Sequence, residues 1–176
     1  TKQYIFPNSH KEKKWKDIID RSKINIGIAW KTKKNVQVQA RSIELDNFNE
    51  ISSLNNVSLY SLQIFDAEDE IKNKNPNLDL HIFNKDFDNE APFIDTAAVM
   101  KNLDLVITID TSIAHLAGAL GCKTFLLLSD KPHWTWMLDK VDTPWYPSFK
   151  IYRKSKNQDW TNVFNKIKTD LEEIKK

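Results

Sequence analysis

Short runs that are apolar on both faces alternate with helical stretches along this chain, and that alternation limits its fold more than any other feature. INIGIAW (24–30), VSLYSLQI (57–64), LDLHIF (78–83), DLVITI (104–109) and KTFLLLS (123–129) read as buried strands. Leu45, Phe48, Ile51 and Leu54 follow helical spacing, and 93–103 turns Phe93, Ala97, Met100 and Leu103 to one side. Residues 11–21 put Trp15, Ile18 and Ile19 on one helical face, while 112–121 is a short helix of small residues closed by Gly121. A strand near 149–153 and an amphipathic helix over 159–174 complete the order. Strands buried on both faces need helices above and below them. The expected fold class is α/β, a Rossmann-like parallel sheet flanked by helices, in one domain over 1–176.

Composition removes several functions. The 176 residues are 40% hydrophobic, enough for a core. Against 26 Lys and Arg stand 24 Asp and Glu, and this near balance argues against a dedicated nucleic-acid binder. Cys122 is the single cysteine, so there is neither a disulfide framework nor a cysteine-rich zinc site. No apolar run approaches the ~20 residues of a membrane span, and a cytoplasmic location is expected. A chain beginning at Thr1 is expected to be a piece of a larger protein.

In open α/β sheets, ligands bind at the carboxyl ends of the strands. There stand Lys31, Gln63, Asp110, Thr111 and Ser112, with Arg41 closing the basic loop 31–41. The strongest local signal is DTSIAHLAGALG (110–121), which follows a strand directly. Thr111 or Ser112 caps the helix, and its start offers backbone N–H groups and a partial positive charge to phosphate. His115 lies one turn in, with Cβ tilted towards the same end. The plain alternative is an ordinary capped turn with a satisfied histidine. Asp110 repels a diphosphate, so it is read either as an acceptor of sugar hydroxyl bonds or as part of the cap. Lys31 and Arg41 are candidates for neutralising phosphate, or simply solvated charges. Gln63 is a candidate for a ribose or base edge.

Other patterns carry less. Asp86-Phe87-Asp88 copies a metal-binding carboxylate pair, but it sits in a loop without a third ligand and is taken as chance. His10, His81 and His133 lack zinc spacing. There is no G-x-G-x-x-G fingerprint and no nucleophile elbow. The tryptophan-rich stretch 133–149 is read as packing, with sugar stacking as the alternative.

NIGIAWK (25–31), RSIEL (41–45), DLVITIDTSIAHLAGALG (104–121), and W-x-W-x-L-D followed by DTPWYPS (134–148) occur in this order in one protein group. The chain resembles the C-terminal domain of bacterial tetratricopeptide-repeat glycosyltransferases, related to the heptosyltransferase family and distantly to O-GlcNAc transferase. The resemblance implies half of a GT-B enzyme, which holds a nucleotide-sugar donor between two Rossmann-like domains. By position, Thr111 and Ser112 would hold the diphosphate, His115 would support it, and Asp110 would approach the transferred sugar. Lys31 and Arg41 would face the phosphates, and Gln63 the ribose and base. Asp110 and His115 are thus the expected catalytic pair. No metal or other cofactor is expected. Heptosyltransferases usually carry glycine where Ser112 stands, so the resemblance leaves the sugar open. An N-terminal acceptor domain with tetratricopeptide repeats is the expected partner, and the acceptor itself is a glycan, lipid or protein. Two alternatives share the fold: an inactive binding or scaffold module, marked by Arg41 or Lys31 held in structural ion pairs, and a sugar-nucleotide epimerase relative.

Overall fold

The computed structural model describes residues 3–32, 41–63, 67–73 and 76–174. Most of the basic loop expected over 31–41 therefore lies outside the described residues, as does the end of the run 57–64.

Six parallel strands form one sheet: β1 (Ile24–Ala29), β2 (Val57–Ser61), β3 (Leu80–His81), β4 (Leu105–Ile109), β5 (Thr124–Leu128) and β6 (Phe149–Arg153). Their order is β3-β2-β1-β4-β5-β6. The chain builds outward from β1 in one direction, returns, and builds outward from β4 in the other. This is the doubly wound arrangement expected of buried strands joined by helices.

Residues alternate between two cores. Ile26, Ile28 and Trp30 face a core with Phe48, Ile51, Phe164 and Ile167, supplied by the turn Leu45–Phe48, α2 (Asn49–Ser52) and α6 (Thr161–Glu173). Ala29, Val106 and Leu126 face the other, with α1 (Ser9–Lys16), α4 (Ile94–Asn102) and α5 (Ser112–Ala119). Gly27 is required on that second face. A Cβ there would stand 2.6 Å from Leu103 and from Leu62.

Several element bounds differ from the periodic pattern, each for a local reason. α1 starts early because the Asn8 side chain accepts from the His10 and Lys11 N–H groups. It stops at Lys16, which leaves Ile18 exposed rather than inward. The helix expected near 45–54 is a 3₁₀ turn (Leu45–Phe48) running into the single turn of α2. β3 shrinks to two residues at the sheet edge, with Ile82 in solvent. α4 is buried on nearly every side from Asp95 to Met100, being wedged between α1, α5 and the sheet. Asp88 caps it, accepting from Asp95 N at 2.6 Å and Thr96 N at 3.1 Å. In the Asp-Phe-Asp pattern Asp88 is thus a helix cap, while Phe87 packs edge-on against Trp15. Gly121 ends α5 as expected, at φ +68°, with Cys122 N–H on Ala117 O and Gly121 N–H on Gly118 O. No described helix is long and apolar enough to cross a membrane.

Candidate functional site

β1 and β4 are neighbours, and the chain leaves them towards opposite faces of the sheet. α2 follows β1 on one side and α5 follows β4 on the other. Their carboxyl ends therefore flank a crevice, the topological switch point where ligands bind in such sheets. Lys31 extends β1, and Asp110 to Ser112 extend β4.

At the β4 side, Asp110 is 7% exposed and engaged on both oxygens. Oδ1 accepts the Trp136 indole N–H at 2.7 Å, and Oδ2 accepts the His133 backbone N–H at 3.2 Å. Arg41 Nη1 also lies 3.0 Å from Oδ2. Asp110 therefore does not cap α5; its three donors tie the end of β4 to the aromatic segment and to Arg41. Thr111 starts α5 in extended backbone, yet no side chain caps the helix. Its hydroxyl turns back towards Ile109 O at 3.5 Å, and Ser112 is exposed. The first N–H groups of α5 are left without a side-chain acceptor, at the positive end of the helix dipole.

His115 sits one turn further on. Its ring stacks on Trp136, with centroids 5.0 Å apart and planes 23° apart. Nδ1 meets the Tyr146 hydroxyl at 3.1 Å. Desolvation by these aromatic neighbours lowers the His115 pKa; Asp110 opposes the shift and His133 adds to it. Burial pushes the Tyr146 hydroxyl up to about 12, with Tyr4 beside it adding to the shift. Tyr146 also explains Gly118, where a Cβ would come within 2.4 Å of the tyrosine ring. A cleft of about 440 Å³ opens beside His115, lined by Tyr4, Trp134, Thr135, Trp145 and Tyr146.

At the β1 side, Gln63 Oε1 accepts the backbone N–H groups of Trp30 at 3.2 Å and Lys31 at 3.0 Å, and Nε2 donates to Lys31 O. Its amide braces the end of β1. Lys31 Nζ is 2.7 Å from Glu70 Oε2. Glu70 on α3 (Glu68–Lys72) also accepts from the Trp30 indole and from Leu45 N–H. Burial raises the Glu70 pKa, but the bonds from Lys31, Leu45 and Trp30 outweigh it and hold the carboxyl below its ordinary value.

The structure thus gathers Arg41, Asp110 and His115 into one connected cluster at the start of α5, joined through Trp136, and Lys31 and Gln63 into a second around Glu70. Glu70, Trp136 and Tyr146 are the residues that sequence reasoning did not place at the site. Among the described residues, no group of three or more His, Cys, Asp or Glu is arranged to hold a metal ion.

No family model matches the chain. Protein FlbA of Caulobacter vibrioides is 28% identical over 151 residues, covering 85% of this chain. The chain spans about a quarter of the length of that relative. Among solved structures, a family 9 glycosyl transferase from Veillonella parvula superposes with a TM-score of 0.61 at 10% identity, over 96% of this chain and 45% of that one. The C-terminal domain of a group 1 family glycosyl transferase from Francisella tularensis gives 0.55 at 12% identity, over 96% and 86%. The fold is that of GT-B glycosyltransferase domains.

Proposed function

We propose that this chain is the nucleotide-sugar donor domain of a metal-independent glycosyltransferase. The observation that carries the reading is the uncapped start of α5 at the β1/β4 switch point, with the Arg41 guanidinium alongside. In this reading the diphosphate accepts from the backbone at Thr111 and Ser112 and from the Ser112 hydroxyl. His115 supports it, while Arg41 and Lys31 turn from their carboxylates to the phosphates and stabilise the departing charge. A carboxylate has about four acceptor positions, so Asp110, with three donors, keeps one for a sugar hydroxyl. Gln63 shapes the ribose side through the backbone of Trp30 and Lys31. The bond from sugar to diphosphate breaks, a bond to the acceptor hydroxyl forms, and the acceptor proton passes to a base on a facing domain. That domain, the tetratricopeptide repeats and the acceptor belong to the same proposal.

A second reading has its own observation. Arg41 and Lys31 are both held in ion pairs, as in a module that keeps the fold without the transfer. Calorimetric titration with UDP, GDP, ADP and CMP separates the two. The donor reading expects one nucleotide to bind, with unchanged affinity in EDTA and weaker affinity in His115→Ala. Absence of binding by all four, in this chain and in any longer protein that contains it, refutes the donor reading.

A further inference from the structure

His115 has two nitrogens, and the structure spends only one of them. Nδ1 faces the Tyr146 hydroxyl at 3.1 Å, whereas Nε2 has no hydrogen-bond partner among the described residues. We propose that Tyr146 is a positioning residue that fixes the tautomer of His115, its hydroxyl donating to Nδ1 so that the neutral ring carries its proton on Nε2. The Nε2–H is then the donor that His115 offers to an anion, a role that rests on the donor-binding reading.

Donor and acceptor chemistry and the fixed position of the ring lead to this direction of the bond. The lone pair of an unprotonated imidazole nitrogen is a strong acceptor, and a phenol is a better donor than acceptor, so O–H to Nδ1 is the favoured pairing. Tyr146 shares the wall of the cleft with Tyr4. The His115 ring itself is held in place by the stack on Trp136, whose indole N–H is anchored on Asp110 at 2.7 Å.

The opposite case is an imidazolium, which would have to donate from Nδ1 to Tyr146. The groups facing the ring decide it: Asp110 favours the proton, while His133 and the desolvating aromatic walls disfavour it, with a net lowering. The Tyr146 hydroxyl, pushed up by burial, is neutral there. His115 is therefore a neutral donor near neutral pH, and the tautomer matters. In the other tautomer Nε2 would be an acceptor and would repel a phosphate oxygen.

Two-bond ¹⁵N–¹H NMR correlation on the uniformly labelled chain reads the tautomer directly. The chain has four histidines, and loss of one pattern in His115→Ala assigns the signal. The expected result, above the ordinary histidine range, is a protonated Nε2 and a bare Nδ1, with the bias lost in Tyr146→Phe. Phenylalanine keeps the ring that lies over Gly118, so the fold is retained. A proton on Nδ1 in the unaltered chain overturns the proposal, as does a tautomer unchanged in Tyr146→Phe. Nucleotide titration is a separate arm, in which Tyr146→Phe is expected to weaken binding by roughly threefold to tenfold. No nucleotide affinity alongside the expected tautomer refutes the donor reading and leaves the Tyr146–His115 assignment in place.

Discussion

Replacing Asp110 by alanine tests whether this carboxylate holds the site together. The Trp136 indole is 1% exposed, and its N–H has Asp110 Oδ1 as its acceptor at 2.7 Å. With alanine that N–H is buried unpaired, which costs roughly 1–3 kcal/mol, and the charge-assisted character of the bond is lost as well. The Arg41 pair adds little, about 0–1 kcal/mol, because the arginine side chain is 26% exposed and regains water. A total of about 3 kcal/mol follows. In a chain of this length that lowers the melting temperature by about 6–12 °C. Urea unfolding, with an unchanged slope and a lower midpoint, is the assay.

A double-mutant cycle makes the attribution specific. Trp136→Phe removes the donor, and combining it with Asp110→Ala removes both partners. The double variant should then be about 1–2 kcal/mol more stable than the sum of the single losses predicts. A residue that served only to meet substrate would behave differently, since Asp110→Ala would then leave the midpoint within about 0.5 kcal/mol of the parent. That result, or strict additivity with Trp136→Phe, would refute the assignment of Asp110 as the tie between β4 and the aromatic segment.

Gly118→Ala drives a Cβ to within 2.4 Å of the Tyr146 ring, so it should cost about 1–3 kcal/mol in urea unfolding and disturb the His115 ring signals by NMR. Asp88→Ala removes the cap of α4 and places alanine at φ +58°; a loss of about 1–2 kcal/mol is expected, with Asp88→Asn losing clearly less. Acid should destabilise the fold in two stages. His115 has a lowered pKa, so the unfolded chain takes up its proton first, and stability falls as pH drops below the ordinary value of 6.5. Glu70 and Asp95 are also lowered, from 4.5 and 3.8, so their contributions persist above those values and are lost as pH falls through the lower folded values. Urea midpoints measured across both ranges check the sign, and a midpoint that rises on acidification would contradict it.

The sheet was readable in the sequence because each central strand is apolar on both faces, a pattern that needs nothing beyond its own residues. β3 and the end of α1 were less so. At a sheet edge half of the burial disappears, and the helix at Trp15 is bounded by the Asn8 side chain rather than by its apolar period. The start of α5 was readable for the same local reason as β4, since Asp110 to Gly121 is one continuous stretch. The partners of that stretch were not. Trp136 meets Asp110 across 26 positions, and Glu70 meets Lys31 across 39. Nothing in a single sequence says which of 24 acids accepts from which remote N–H. The tryptophan-rich segment showed that many aromatic side chains had to be housed, but not that one of them would stack on His115.

The two ion pairs bear on function through how easily they can open. Without Arg41, Asp110 still accepts from Trp136 and His133; without Lys31, Glu70 still accepts from Trp30 and Leu45. Neither carboxylate would become a buried charge without a partner, which is what makes breaking a buried pair costly. Both cations are partly in water already, with side chains 26% and 28% exposed. Each can therefore turn to another anion for about the worth of a partly exposed ion pair, on the order of 1 kcal/mol. In the donor reading proposed above, a diphosphate would offer more negative charge than either carboxylate and would meet the uncapped end of α5 as well. The pairs seen in the structure are thus compatible with the proposed donor site, and they distinguish Arg41 and Lys31, which can be released, from Trp136 and Gln63, whose bonds brace the strand ends.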